Sequence, residues 1–221
     1  MTRHNTQPHY AERLALLLVC AFAMQTLLAG EQQYEPLAAS VRAVLHRSVA
    51  DHASPRLIFA SQAEGTAWLA EMSRRLQKHI PDDIARQDLL VTAQYEATRA
   101  GLDPQLVLGV IQVESRFRKY AVSKAGARGY MQVMPFWTRL IGEANQNLFN
   151  LRTNLRYGCT ILRHYLDIEH GDTFRALARY NGTLGNSRYP DNVWRAWATD
   201  WDYERSRPRV IIAPTRYIGD G

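Results

Sequence analysis

Glu114 occupies a position where the surrounding helical pattern calls for an apolar residue. In the stretch VIQVESRF it follows Val107, Val110 and Ile111 by seven, four and three positions. These spacings place the four side chains on one face of a helix. Burial against aliphatic side chains disfavours a charged carboxylate and therefore raises its pKa. A carboxyl group still protonated near neutral pH can donate its proton to a leaving oxygen, so Glu114 is a candidate general acid.

A simpler interpretation of Glu114 is a helix-end glutamate that turns toward solvent or pairs with Arg116 or Arg118. Two features favour the catalytic interpretation. The carboxylate continues an aliphatic stripe, and the segment after it is rich in glycine, with Gly126 and Gly129.

Two further sequence blocks accompany Glu114, which is followed by a serine. They are AVSKAGARGYMQVMP at residues 121–135 and ALARYNGTLG at residues 176–185. Together the three blocks resemble the lytic transglycosylases of the soluble (SLT) type, relatives of goose-type lysozyme that cleave the glycan strands of bacterial peptidoglycan. The resemblance covers residues 89–197, about half the chain. Tyr130 stands where leucine is frequent and Gly182-Thr183 where Ala-Gly is frequent, and both changes leave the polar positions intact.

The resemblance implies a role for each matched position. Glu114 would act as catalytic acid and then as base. Gln132 would offer a donor and acceptors to sugar hydroxyl or acetamido groups. Asn181 would bind the acetamido side of the substrate, and the hydroxyl of Tyr180 is expected to reach Glu114 and orient it. Ser115 would help to hold the site and its sugar. The full set of implied substrate-binding residues is Ser115, Tyr130, Met131, Gln132, Tyr180 and Asn181.

The sequence around the site offers one carboxylate where most glycosidases use two. Residues 115–142 contain no aspartate or glutamate, and the matched blocks supply none besides Glu114. The resemblance therefore implies that the acetamido group of the substrate stabilises the anomeric centre, as in substrate-assisted glycosidases. Glu114 would protonate the bond between N-acetylmuramic acid and N-acetylglucosamine, then accept the C6 hydroxyl proton as a 1,6-anhydro ring closes.

Two other functions remain open from the sequence. A peptidoglycan hydrolase of the same fold would need a positioned water and a further carboxylate, for which Asp167, Glu169 and Asp172 are the nearest later candidates. A non-catalytic wall-binding module of the same fold would have no need of Glu114 or of the Gln and Tyr-Asn positions.

No metal ion or other cofactor is expected, because the chain has no H-x-x-x-H motif, no Cys/His cluster and no P-loop. The G-x-x-G spacing at residues 126–129 is a common coincidence, and no nucleic-acid partner is expected. The net charge of +6 suits an acidic partner such as peptidoglycan. Basic residues flank the motif blocks at Arg116, Arg118, Lys119, Lys124 and Arg128.

Helix start and stop signals predict an all-α, mainly helical domain without a sheet, and the resemblance implies that this domain is lysozyme-like. A capping box at residues 61–64 begins a helix that runs to about residue 78. Asp82-Asp83 opens a helix that ends at Gly101, and Asp103-Pro104 opens the helix that carries Glu114. Further helices are predicted at about 131–141, 151–168, 173–180 and 191–198. Cys159 lies at helical spacing from leucines at 155, 162 and 166, which predicts a buried thiol.

The predicted organisation has five parts. Residues 1–30 resemble a signal peptide or an N-terminal anchor, with Arg3 and Arg13 ahead of an apolar run, so export to the periplasm is expected, with membrane association through this segment if it is retained. Residues 31–60 form a linker or loosely helical lead-in, and 61–88 a helical extension. Residues 89–198 form the catalytic domain, and 199–221 a loosely held tail. After signal cleavage Cys159 would be the sole cysteine, so stability must come from packing.

Overall fold

A computed structural model of the protein describes residues 32–51 and 53–203. The helices of this part are α1 (Ala39–Val49), α2 (Gln62–Leu76), α3 (Asp83–Arg99), α4 (Pro104–Ser115), α5 (Phe136–Ile141), α6 (Leu151–Ile168), α7 (Thr173–Tyr180) and α8 (Arg188–Ala196), followed by a π-helical turn, Trp197–Trp201. No strand occurs among these residues, which confirms the predicted all-α fold. The predicted signal or anchor and most of the predicted tail lie outside the described residues.

Five helices begin with a side-chain cap, which satisfies a backbone N–H that has no partner within the helix. The capping oxygens accept from N–H groups two or three positions further on. The caps are Ser61, Asp82, Asp103, Asn150 and Asp172. The starts predicted at 61, 82 and 103 are therefore confirmed. The predicted bounds of α6 and α7 are also confirmed.

The segment between Gly129 and Pro135 is a loop, and the helix predicted from about residue 131 begins only at Phe136. Arg128 and Val133 exchange two backbone hydrogen bonds of 3.0 Å, which close a tight turn. Gln132, inside that turn, has a positive φ of 49°, which a right-handed helix does not allow. The pairing within the loop therefore excludes a helix there.

Two other boundaries differ from the predicted ones. The last helix, α8, begins at Arg188 rather than near 191, because Pro190 is tolerated in the first turn of a helix. The stretch 31–60 contains α1, whose Leu45 and Val49 are buried. This helix packs against α6, so the lead-in is part of the folded body.

Helix α4 occupies the centre of the core and carries Glu114 at its C-terminal end. It packs against α3, α8 and the π-helical turn. At Gly109 an added Cβ would lie 3.2 Å from the carbonyl oxygen of Val193, so the absence of a side chain permits the close approach of α8. Arg116, with a φ of 52°, ends the helix in the left-handed region. The packing of α8 along α4 brings the start of α8 to the last turn of α4.

A buried carboxylate joins α3 to α6. The side chain of Glu96 is fully buried and accepts a 2.8 Å hydrogen bond from the guanidinium of Arg156, which is itself 6% exposed. Arg99 makes a second ion pair with Glu96 at 3.1 Å, and Arg152 approaches it at 3.7 Å. A buried ion pair adds little net stability, but losing one partner leaves the other charge desolvated and unpaired.

We expect Glu96→Ala to lower the free energy of unfolding by about 3–5 kcal/mol, because Arg156 would stay buried without its partner. Asp167→Ala is the matched control, since it removes an ion pair with Arg163 at the surface and should cost about 0–1 kcal/mol. Urea unfolding of both variants measures the difference. Equal, small losses in the two variants would contradict the importance of the buried pair.

Candidate active site

Glu114 lies in the last turn of α4 with its carboxyl group held against the core. The hydroxyl of Tyr189, in the first turn of α8, donates a 2.6 Å hydrogen bond to Glu114 Oε1. Burial raises the pKa of Glu114 to about 7, and the hydrogen bond from Tyr189 opposes this rise because it stabilises the charged form. The elevated pKa expected from the aliphatic stripe is therefore present in the folded protein.

A small cavity of about 40 Å³ opens beside Glu114. Four of the residues predicted for the site line it, although they come from three separate sequence blocks: Glu114, Gln132, Tyr180 and Asn181. Three further residues complete the lining: Gln32, Ser123 and Ala127. Among these residues Glu114 is the one carboxylate.

The loop over residues 128–133 is held in place by the buried side chain of Asn154. Its amide nitrogen donates to the carbonyl oxygens of Arg128 and Leu148 at 2.8 and 2.9 Å, and its oxygen accepts from the N–H of Met131 at 2.8 Å. At Gly129 an added Cβ would lie 2.4 Å from the Asn154 amide nitrogen, so the position requires glycine. The three hydrogen bonds of Asn154 and this close approach determine the position of the loop.

Gln132 is oriented by the same loop. Its side-chain nitrogen donates to the carbonyl oxygens of Ala121 and Gly129 at 3.2 and 2.9 Å. Both amide N–H groups are used, so the amide oxygen is left to act as a hydrogen-bond acceptor at the cavity.

Three residues predicted to contact substrate are not brought to the cavity. The hydroxyl of Ser115 is buried and donates back to the carbonyl oxygen of Ile111 at 3.1 Å, within its own helix. Met131 is fully buried, and an added Cβ on Gly158 would lie 2.3 Å from its sulfur. Tyr130 is part of the hydrophobic core. The three side chains are buried in the core and therefore do not line the cavity.

The predicted hydrogen bond between Tyr180 and Glu114 is wrong. The hydroxyl of Tyr180 donates to the carbonyl oxygen of Met131 at 2.7 Å, so this tyrosine ties α7 to the loop and forms the cavity wall. Tyr189, nine positions later, makes the contact with Glu114. The sequence holds one signal for Tyr189, its helical spacing from Val193 and Ala196. In the structure these three residues are buried, and their helix packs on α4.

The later carboxylates that a hydrolase could use are engaged elsewhere. Asp167 pairs with Arg163. The guanidinium groups of Arg175 and Arg179 bind Glu169 and lower its pKa, and Asp172 caps α7. None of the three lines the cavity beside Glu114.

Metal-binding clusters and membrane-spanning helices are both absent from residues 32–51 and 53–203. No group of three or more His, Cys, Asp or Glu side chains there has the arrangement of a metal site. In the same part of the chain no helix is both long and apolar enough to span a membrane. Cys159 is buried, as predicted, and burial raises the pKa of its thiol.

Residues 92–194 match the family model of the transglycosylase SLT domain. The matched range contains Glu114, the loop held by Asn154, and both tyrosines of the site. It begins within α3, so α1, α2 and Gln32 lie outside it.

Several known proteins are similar in sequence to parts of this chain. A transglycosylase of Enterobacteria phage PRD1 is 38% identical over 98 residues, covering 44% of this chain and 34% of the relative. A membrane-bound lytic murein transglycosylase C of Histophilus somni is 32% identical over 161 residues, covering 58% of this chain and 44% of the relative. The chain thus spans less than half the length of these relatives.

Among solved structures, an inactive mutant of the lytic transglycosylase Slt from Pseudomonas aeruginosa aligns with 64% of this chain and 31% of its own. The sequence identity is 22% and the TM-score 0.47.

We expect Tyr189→Phe to raise the pKa of Glu114 above its value of about 7, because the variant loses the hydrogen bond that favours the carboxylate. A ¹³C NMR titration of the glutamate carboxyl groups measures this pKa directly. Tyr180→Phe is the control: its hydroxyl bonds to Met131, so the pKa of Glu114 should stay nearly constant. An unchanged or lower pKa in Tyr189→Phe would contradict the geometry.

The raised pKa of Glu114 also predicts how stability depends on pH. The pKa is about 7 in the folded protein against an ordinary value of 4.5. The stabilisation from the protonated carboxyl group is therefore complete below about pH 4.5 and is lost as pH rises through 7. The Glu114→Gln variant keeps the shape of the side chain and can still accept the hydrogen bond from Tyr189. Its amide does not ionise, so the variant does not lose stability as the pH rises. We expect the variant to match the parent near pH 4 and to exceed its stability by up to about 3 kcal/mol at pH 8.

Denaturant unfolding at the two pH values measures this difference. Glu143→Gln, at an exposed glutamate, is the matched control and should change stability little at either pH. A Glu114→Gln variant with the same relative stability at both pH values would show that Glu114 ionises normally.

Proposed function

We propose that this protein is a peptidoglycan lytic transglycosylase in which Glu114 acts first as general acid and then as general base. The observation that carries the proposal is that Glu114 is the one carboxyl group among the described residues that line the cavity, with a pKa of about 7 that keeps a large fraction protonated at neutral pH. The SLT domain and the names of the relatives support the same reaction class.

The proposed reaction begins with a proton transfer. Tyr189 holds Glu114 Oε1, which leaves Oε2 to carry the proton toward the glycosidic oxygen between N-acetylmuramic acid and N-acetylglucosamine. The acetamido carbonyl oxygen of the muramic acid attacks the anomeric carbon of the same sugar, and the glycosidic C–O bond breaks. The N-acetylglucosamine leaves as an alcohol that carries the proton from Glu114. This internal attack replaces the second carboxylate that most glycosidases use.

The second step returns Glu114 to its starting state. The carboxylate accepts the proton of the C6 hydroxyl, and O6 attacks the anomeric carbon from within the same sugar. The acetamido group is released and a 1,6-anhydro ring forms, so no water is consumed. The engagement of Asp167, Glu169 and Asp172 away from the cavity supports this route over hydrolysis, since a hydrolase would need a carboxylate to position water.

The substrate class suits the charge and the proposed location of the protein. Peptidoglycan carries lactyl and peptide carboxylates, and the chain has a net charge of +6. The basic residues near the motif blocks that could attract it are exposed: Arg116, Arg118, Lys119, Lys124 and Arg128. We place the protein in the periplasm, where this substrate is found, with residues 1–30 as its export signal or anchor.

Digestion of purified peptidoglycan in heavy-oxygen water tests the proposal. We expect fragments that end in unlabelled 1,6-anhydromuramic acid, lighter by one water than hydrolysis products, as determined by mass spectrometry. Glu114→Gln should reduce cleavage at least about 100-fold, because the amide cannot supply the proton. A hydrolytic muramidase run in parallel provides labelled reducing ends as reference. Labelled reducing termini as the main product would show that the protein is a hydrolase. The absence of any cleavage would indicate a binding module.

A further inference from the structure

Gln32 places a hydrogen-bond donor without a partner at the cavity beside Glu114. The side chain is 6% exposed and lines the cavity together with Glu114, Gln132 and Tyr180. Its amide oxygen accepts from the N–H of Met134 at 3.2 Å, which directs the amide nitrogen away from that backbone. The nitrogen makes no hydrogen bond in the described part of the chain, although it lies close enough to the Tyr180 hydroxyl to oppose the rise in the pKa of that tyrosine. A buried donor of this kind indicates a missing ligand or water.

The position of Gln32 is fixed by contacts that cross the fold. It belongs to an extended segment ahead of α1. Three residues later, the carboxylate of Glu35 pairs with Arg179 of α7 at 3.2 Å. The ring of Tyr34 meets Phe136 of α5 edge to face, with centroids 5.6 Å apart. These contacts attach the segment to α5 and to α7, and α7 contributes Tyr180 to the cavity lining, so Gln32 is presented to the cavity from a defined side.

The cavity offers both a hydrogen-bond donor and a hydrogen-bond acceptor, which together can bind the C=O and the N–H of an amide group. Gln32 offers an N–H donor, whereas Gln132 offers an amide oxygen because both of its own N–H groups are used. Ala127 adds an apolar methyl group to the same lining. The cavity is small, about 40 Å³, which suits a small substituent of a bound sugar.

We propose that Gln32 is a substrate-binding residue whose amide nitrogen donates to the acetamido carbonyl oxygen of the N-acetylated sugar bound beside Glu114. The acetamido N–H then donates to Gln132 Oε1, and the acetyl methyl group packs on Ala127. The inference rests on the proposed function for its substrate. It adds a contact from outside the SLT match, which begins at residue 92.

Binding measurements in a Glu114→Gln background test this proposal without turnover. The probes are the tetramer of N-acetylglucosamine and its fully de-N-acetylated counterpart, titrated by NMR. Gln32→Ala should weaken binding of the acetylated tetramer about 3- to 10-fold, the effect of one hydrogen bond, and leave the other unchanged. Gln32→Met, which keeps the side-chain length without an amide, should weaken it equally. Gln33→Ala, at an exposed glutamine next in the chain, should change neither.

Other outcomes would overturn the assignment. Unchanged or tighter binding of the acetylated tetramer by Gln32→Ala would show that Gln32 lies over the cavity without binding the substrate. Recognition of the acetamido group would be excluded if Gln32→Ala weakened the binding of both tetramers equally. It would also be excluded if the protein with Gln32 intact did not bind the acetylated tetramer. Circular dichroism and the melting temperature check that each variant folds. The peptidoglycan digestion above is independent of these titrations, so the failure of one proposal is distinguishable from the failure of the other.

Discussion

The buried side chain of Asn154 makes the interaction on which the site depends. Its three hydrogen bonds satisfy the N–H of Met131 and the carbonyl oxygens of Arg128 and Leu148 in a place that water does not reach. Leaving such a group unpaired costs roughly 1–3 kcal/mol. The loop that this side chain holds carries Gln132 to the cavity and offers Met131 O to Tyr180. Asn154 therefore connects α6 to the loop and, through it, to α7.

Glu114 shows how one helix serves both the core and the site. The aliphatic residues of α4 are buried among α3, α8 and the π-helical turn, and this burial stabilises the fold. The same surroundings disfavour the charged carboxylate at the end of the helix. Burial of this carboxyl group thus lowers stability at neutral pH, and a local conflict of this kind is typical of functional sites.

The residues ahead of the matched domain are an integral part of the folded body. Arg75 of α2 donates to the carbonyl oxygens of Asp200 and Asp202 near the end of the described chain. The amide of Gln94 in α3 bonds both backbone groups of Ile58. Because these contacts join the lead-in and the extension to the rest of the fold, Gln32 lies at the cavity although it precedes the SLT match by many residues.

The sequence by itself determined the helices with strong local signals and the identity of the carboxylate. Caps at Ser61, Asp82 and Asp103 and the bounds of α6 and α7 follow from interactions within a few residues, which a sequence pattern records. The aliphatic stripe predicted an elevated pKa for Glu114 for the same reason.

Only the tertiary structure decided which side chains meet that carboxylate. Tyr189 is 75 residues from Glu114 in the chain, and its contact depends on how α8 packs along α4. The choice between Tyr180 and Tyr189, the loop in place of a helix at residue 131, and the arrival of Gln32 all depend on contacts between distant segments. Local propensity carries no record of such contacts, because they exist only once the helices have packed.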